Sequence, residues 1–123
     1  MENKTIIEEA FWSMLPEGLD VFFKLDGYEK SSKKFRINLK EKNIIPSNLP
    51  NKYRGKKVID TTLNKIIIDD FPIRGRKGEI VLKRRSWKFE GNDEWYKQDI
   101  RLTKKGTKLE KEFADFLKEL NRF

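Results

Sequence analysis

Alternation of apolar and polar residues dominates the chain and is typical of strands with one buried face. It predicts five strands, at about 19–28, 33–42, 58–71, 79–89 and 94–102, with an interruption of the third near Asn64. The short polar link 27–32 predicts an antiparallel hairpin between the first two strands. Glu90–Asp93 predicts a tight turn between the last two strands.

Helical spacing of apolar residues occurs only near the two ends. A first helix is predicted over 4–15, where Pro16 ends it. Thr107–Glu110 matches a capping box, in which the Thr side chain accepts from the N3 amide and Glu bonds back to the cap. The apolar stripe that follows is predicted to pack on the sheet. It consists of Leu109, Phe113, Phe116, Leu117 and Leu120.

This order of elements predicts an α+β fold. We expect an N-terminal helix, a meander-like antiparallel sheet and a C-terminal amphipathic helix packed on that sheet. A chain of 123 residues is expected to form a single domain over 1–123. Pro, Gly, Asn and Lys are frequent at about 43–57, which predicts an irregular basic connector there.

Charge adds a candidate function to this fold. The chain has 28 Lys and Arg against 20 Asp and Glu, a net charge of +8 and a pI near 9.6. A basic turn and strand lie near its middle, and clustered cations of this kind favour a polyanion such as DNA, although basic strands are also common on solvated surfaces. The predicted DNA contacts are Arg74, Arg76, Lys77, Lys83, Arg84, Arg85, Trp87 and Lys88.

Strand parity divides these candidates between the two faces of the sheet. Arg84 shares parity with the apolar residues Ile80 and Leu82, so we expect it on the covered face in an ion pair, with Asp69 or Asp99. Arg85, with Lys83, is then expected on the open face.

Aromatic residues flank the Glu90–Asp93 turn. Trp87, Trp95 and Tyr96 could stack on bases, as in single-strand binders, or pair across the hairpin. We expect packing for at least one of the tryptophans.

The absence of Cys and His excludes several kinds of chemistry. Disulfides, thiol nucleophiles, imidazole bases and His- or Cys-ligated metals cannot form in this chain. Asp69 and Asp70 are adjacent carboxylates, but neighbours on a regular strand point to opposite faces, so we expect no metal and a partner for Asp69 in a nearby Arg. No cofactor is expected. No apolar run reaches the roughly 18 residues of a membrane span, and we expect a cytoplasmic protein.

Several short motifs together resemble those of a known protein group. They are Leu15–Leu19, Leu39–Asn43, Gly75–Lys77, Lys83–Trp87, Asp99, Leu102, Lys105–Thr107 and Phe113–Glu119. In this order they resemble the small N-terminal protein of split bacterial insertion-sequence transposases. Phe71–Gly75 and the basic strand are also similar, more distantly, to the zinc-ribbon N-terminal domain of larger transposases, but the cysteine pairs of that domain are absent here.

The resemblance implies a non-catalytic accessory protein. Such a protein binds double-stranded DNA, in particular element ends, and works with a separate catalytic transposase subunit. The catalytic domain of these transposases is too large to fit in this chain, so we expect no enzyme activity from the chain alone. Two alternatives stay open, a protein-interaction module with a basic surface and a binder of single-stranded nucleic acid or RNA.

Overall fold

A computed structural model describes residues 6–13, 15–73, 75–102 and 110–122. It shows a mostly β protein with short helices. The helices are α1 (Ile6–Ser13), α2 (Leu19–Phe22) and α3 (Glu110–Leu120), with a 3₁₀ turn at Asn51–Tyr53. The strands are β1 (Phe23–Lys30), β2 (Lys34–Glu41), β3 (Val58–Ile73), β4 (Arg76–Phe89) and β5 (Trp95–Lys97).

The five strands form one mixed sheet. The strand order is β1-β2-β4-β3, and β5 pairs with the end of β4. The β1/β2, β3/β4 and β4/β5 pairs are antiparallel, as adjacent strands in a meander are, but β2 and β4 are parallel. The predicted meander is therefore wrong at this point, because the chain passes from β2 to the far edge before β4 returns beside β2.

The structure also differs from several of the predicted strand boundaries. Residues 19–22 form a helical turn, so the first strand begins only at Phe23. The third strand runs through Asn64 without interruption, and the fifth is much shorter than predicted. Both predicted hairpins are present. The capping box at 107–110 depends on residues outside those described, and so does the side chain of Phe113.

The main core lies between one face of the sheet and the helices. Phe116 and Leu120 of α3 pack there with Ile66 and Ile68 of β3, which confirms the predicted contact of the C-terminal helix with the sheet. These residues are buried because they form the apolar stripe of α3 and one parity of β3. The other members of this core are Trp12, Leu15, Leu19, Phe23, Leu39, Ile80, Leu82 and Ile100.

A second, aromatic cluster lies on the opposite face, at one end of β4. The connector between β2 and β3 crosses this end of the sheet and places Tyr53 against Phe89, with ring centroids 5.0 Å apart. Trp87 is fully buried there, and Tyr96 lies opposite it on β5. Packing across the hairpin is therefore confirmed for Trp87. The rest of this face is not covered by a described helix, and we call it the open face.

A buried ion pair joins the end of β2 to β4. Glu41 and Arg84 are both fully buried, and Arg84 Nε donates to Glu41 Oε1 at 2.7 Å. The other Glu41 oxygen accepts from Gln98 Nε2 at 2.7 Å. Arg84 Nη2 donates to the Gln98 carbonyl at 2.7 Å, and Nη1 contacts the Leu120 carbonyl. The prediction that Arg84 is a covered, paired residue is confirmed, but its partner is Glu41.

Removing Glu41 should destabilise the protein strongly. Glu41→Ala leaves the Arg84 guanidinium buried without its counter-charge, which typically costs about 3–5 kcal/mol. The matched control is Glu94→Ala, which removes a solvent-exposed pair with Lys52 and should leave the stability nearly unchanged. Urea unfolding of both variants measures the difference, and equal costs would contradict a structural role for the buried pair.

Truncation of the α3 stripe gives a second stability test. Phe116 is only 5% exposed, and Phe116→Ala should cost about 3–5 kcal/mol through lost burial and the cavity it leaves. Lys118→Ala, an exposed neighbour on α3, serves as the control and should melt within a few degrees of the wild type. A Phe116→Ala protein as stable as this control would show that α3 is not part of the core.

Candidate nucleic-acid interface

Four lysines lie side by side on the open face of the sheet. Lys24 pairs with Lys40 across β1 and β2, Lys40 with Lys83 across β2 and β4, and Lys83 with Lys65 across β4 and β3. Directly paired residues project from the same face, which is opposite in parity to the core residue Leu82. Neighbouring strands are about 4.8 Å apart, so the four positions span about 14 Å. We call them the lysine row.

The lysine row is accessible to solvent. Lys24 and Lys65 are exposed, and Lys40 and Lys83 are partly exposed. Lys83 Nζ lies 2.7 Å from Asp26 Oδ2. Among the described residues, the other three lysines form no ion pair. Within the described part of the chain, one of the four cations of the row is therefore paired with a carboxylate.

The electrostatics at Asp26 agree with this geometry. Its pKa is lowered mainly by the hydrogen bond from Lys83. Burial, the second-largest effect, opposes this shift, and the charges of Lys83, Lys40 and Lys24 lower the pKa further. One carboxylate thus senses lysines from three strands, as expected if these lysines lie on one face.

Beyond the row, toward the start of β4, charges of both signs alternate. Arg36 Nε donates to Glu79 at 2.6 Å, and this hydrogen bond is the main cause that lowers the pKa of Glu79. Lys77 Nζ lies 3.4 Å from Asp69 and 3.8 Å from Glu79. Asp69 thus contacts a lysine, where an arginine was expected. In this part of the face Asp69 and Glu79 offset the charges of Lys77 and Arg36, whereas in the lysine row only Lys83 is paired with a carboxylate of the described residues.

Three of the predicted DNA contacts are buried in the structure. Arg84 forms the buried pair described above, and Trp87 Nε1 donates to Asn43 Oδ1 at 2.9 Å. Arg85 is 8% exposed, and its guanidinium donates to the Glu41 carbonyl and to Thr61 Oγ1, at 3.3 and 3.1 Å. Arg85 has the predicted open-face parity but is packed among neighbouring side chains. In this fold the three residues hold the sheet together and are not available to a phosphate.

The remaining predicted contacts are distributed along β4. Arg76 is partly buried and donates to the Ser31 carbonyl at 2.6 Å, while Lys77 is exposed. Lys88 is partly buried, with its Nζ 5.9 Å from the centre of the Trp95 ring. Lys83 belongs to the lysine row, and Arg74 lies outside the described residues.

The other three members of the row, Lys24, Lys40 and Lys65, were not predicted. Each has the solvent-facing parity of its own strand, and that signal was present in the sequence. Their alignment depends on the strand order and register, in particular on the parallel pairing of β2 with β4, which local alternation does not specify.

Other classes of site find little support among the described residues. No cluster of three or more acidic side chains that could hold a metal ion occurs there. None of the helices in that part of the chain has the length and apolarity needed to cross a membrane. No family model, curated protein or solved structure matches the chain.

Replacing Lys83 tests the geometry of the row without any ligand. Lys83→Gln removes the main cause of the lowered pKa of Asp26, so that pKa should rise toward its ordinary value in a carboxyl NMR titration. Lys65→Gln is the control and should leave it nearly unchanged, since Lys65 does not contribute to the shift. An unchanged pKa in Lys83→Gln would contradict the Lys83–Asp26 contact.

The same pair has a defined pH dependence. Because the pKa of Asp26 is lower in the folded protein than in the unfolded chain, the pair stabilises the fold above the ordinary carboxyl pKa. That contribution should be lost as the pH falls through the folded-state pKa. The Asp26→Asn variant should lack this stabilisation at every pH. An acid-unfolding curve identical to that of the wild type would contradict the predicted contribution of the pair.

Proposed function

We propose that this protein is a non-catalytic DNA-binding protein that contacts duplex DNA through the lysine row. The observation that supports this most directly is the alignment of four lysine side chains on the open face, which no described helix covers. Ammonium groups are point charges that bind phosphate without reading bases. The row spans about 14 Å, close to the ~12 Å width of the major groove, so it can contact phosphates on both sides of a groove.

The chemistry of the chain supports a binding role over an enzymatic one. It has no His and no Cys, and its buried ion pair is fully engaged with protein groups. The resemblance to the accessory protein of split transposases favours element ends as the DNA and a separate catalytic subunit as the partner. Both are part of the proposal.

Duplex DNA is favoured over single strands by the placement of the aromatic residues. Single-strand binders use exposed aromatic rings as stacking platforms. Here Trp87 and Tyr96 lie in the aromatic cluster. Trp95, which is 38% exposed, pairs with Lys88, five residues along β4 from Lys83 of the row. The open-face positions two residues away from the row on β2, β4 and β3 carry no aromatic side chain, so the row suits backbone phosphates better than bases. They are Asn38, Val81, Arg85, Leu63 and Ile67.

A protein-interaction role has one observation of its own. A cleft of about 350 Å³ lies beside α2 and the start of the connector, lined in part by Val21, Ile44 and Ile45. Val21 and Ile44 are each 62% exposed. Exposed apolar groups around a cleft are typical of partner-binding surfaces. This surface could serve a protein partner in addition to the proposed DNA contact.

Salt dependence should report the phosphate contacts of the row. If the row neutralises about four phosphates, log K should fall against log salt with a slope of about −3 to −4. Lys40→Gln and Lys65→Gln should each reduce the slope by about one. The control Lys118→Gln makes the same charge change on α3 and should leave the slope nearly unchanged.

Duplex and single-stranded forms of one sequence, compared by fluorescence anisotropy, separate the alternatives. The proposal expects the wild type to bind the duplex more tightly than the single strand. It also expects Lys40→Gln and Lys65→Gln to lose the same amount of affinity whichever duplex sequence is used. A slope near zero, or equal losses for Lys118→Gln and Lys40→Gln, would contradict it.

A further inference from the structure

The two edges of the sheet differ in a way that bears on association. β1 forms one edge and has an irregular register between Leu25 and Tyr28, and such bulges protect an edge from pairing with other chains. β3 forms the other edge and is paired regularly from Asp60 to Asp70. Among the described residues, no strand pairs with the outer side of β3. A long, regular edge strand is a template for another strand.

The middle of β3 reads Lys65-Ile66-Ile67-Ile68-Asp69. The central residue, Ile67, lies on the open face and is 39% exposed. Lys65 and Asp69 share its face, and Asp69 keeps 68% of its side chain exposed despite its contact with Lys77. The segment therefore has an exposed apolar centre with opposite charges at equal distances on either side.

Because of this symmetry, segment 65–69 is complementary to the same segment of a second copy that runs in the opposite direction. In an antiparallel pairing of two sheets, opposing residues must lie on the same face, so odd-numbered residues oppose odd-numbered ones. Of the three carboxylates in β3, at positions 60, 69 and 70, only Asp69 shares parity with Lys65. A single register therefore places Lys65 opposite a carboxylate, and it is centred on Ile67.

We infer that the β3 edge is a homodimer interface, in which β3 pairs antiparallel with β3 of a second copy about a two-fold axis at Ile67. In this register each Lys65 faces Asp69 of the second copy, so the ion pair forms twice. The exposed Ile67 side chains meet at the axis, and Ile66 opposes Ile68 on the core face. Such an interface is isologous and closed, so it ends at the dimer.

The dimer would use Lys65 of the lysine row for its ion pair with Asp69 of the second copy, and it would bring the remaining lysines of the two rows together. A two-fold axis normal to the sheet keeps both open faces on the same side. The two lysine rows would then belong to one continuous sheet, in the arrangement suited to DNA sites with two-fold symmetry.

Engineered cysteines test the register directly, because the chain contains no Cys of its own. Directly opposed residues of an antiparallel pair have Cα atoms about 4.5–5.5 Å apart, within the range of a disulfide. Ile67→Cys should therefore form a disulfide-linked dimer under mild oxidation. Ile59→Cys is the matched control, an isoleucine on the same strand that is 58% exposed but would lie about 27 Å from the axis. It should stay monomeric on a non-reducing gel.

Charge exchange tests the same register without a covalent bond. Lys65→Asp places like charges opposite each other twice and should weaken dimerisation by about tenfold or more in sedimentation equilibrium. Lys65→Asp combined with Asp69→Lys should restore it. Lys24→Asp makes the same charge change on β1 and should leave the dimer unaffected. Thermal melting under reducing conditions verifies that each variant is folded.

Three results would overturn the inference. They are a wild-type protein that stays monomeric at the highest concentration tested, cross-linking of Ile59→Cys equal to that of Ile67→Cys, and a charge-exchange double variant no better than Lys65→Asp. None of them bears on the salt dependence of DNA binding, which the monomer can show alone.

Discussion

The carboxylate of Glu41 is the group on which the arrangement of the sheet depends. It lies where β2 ends beside β4 and before β5 begins to pair, so this edge of β4 has no strand neighbour at Arg84 and Arg85, while the other edge pairs with β3. Glu41 Oε1 accepts from the backbone N–H of Arg85 at 3.0 Å as well as from the Arg84 side chain. A side chain thus replaces the missing strand partner. Since burying this charge is costly, it is tolerated only because each oxygen is hydrogen bonded.

The same network fixes the C-terminal helix to the sheet. Arg84 bonds to the carbonyl of Leu120, and Asn121 exchanges two hydrogen bonds with the backbone of Ile100, at 3.0 and 3.1 Å. Helix α3 and the strand β4 are therefore held in one relative position by directional bonds as well as by apolar packing. Since the helices cover one face of the sheet, the residues of opposite parity in each strand lie on the open face. The four lysines of the row are among these residues.

The parts of the fold set by local pattern could be predicted from the sequence, and those set by pairing could not. Alternation located β2 and β4 closely, and the apolar stripe located the contact of Phe116 with the sheet. The parallel pairing of β2 with β4 was missed because no local signal reports which strands become neighbours. For the same reason Arg84 was assigned the right face but the wrong partner, since Glu41 is brought to it only by that pairing.

Charge density predicted a basic surface but not its position. Clustering along the chain selected Arg84, Arg85 and Trp87, which the structure uses for internal bonds and packing. The aligned lysines lie far apart in sequence, and only the register brings them together. Sequence clustering of cations is thus a poor guide on a sheet, where neighbours on one face come from different strands.

The most direct test of the lysine row is to observe its side chains while DNA is added. In an NMR titration with a short duplex, the lysine side-chain signals of Lys24, Lys40, Lys65 and Lys83 should shift together, while that of Lys118 should stay in place. Shifts that are equal for all lysines, or confined to lysines outside the row, would contradict the assignment of the open face as the DNA contact.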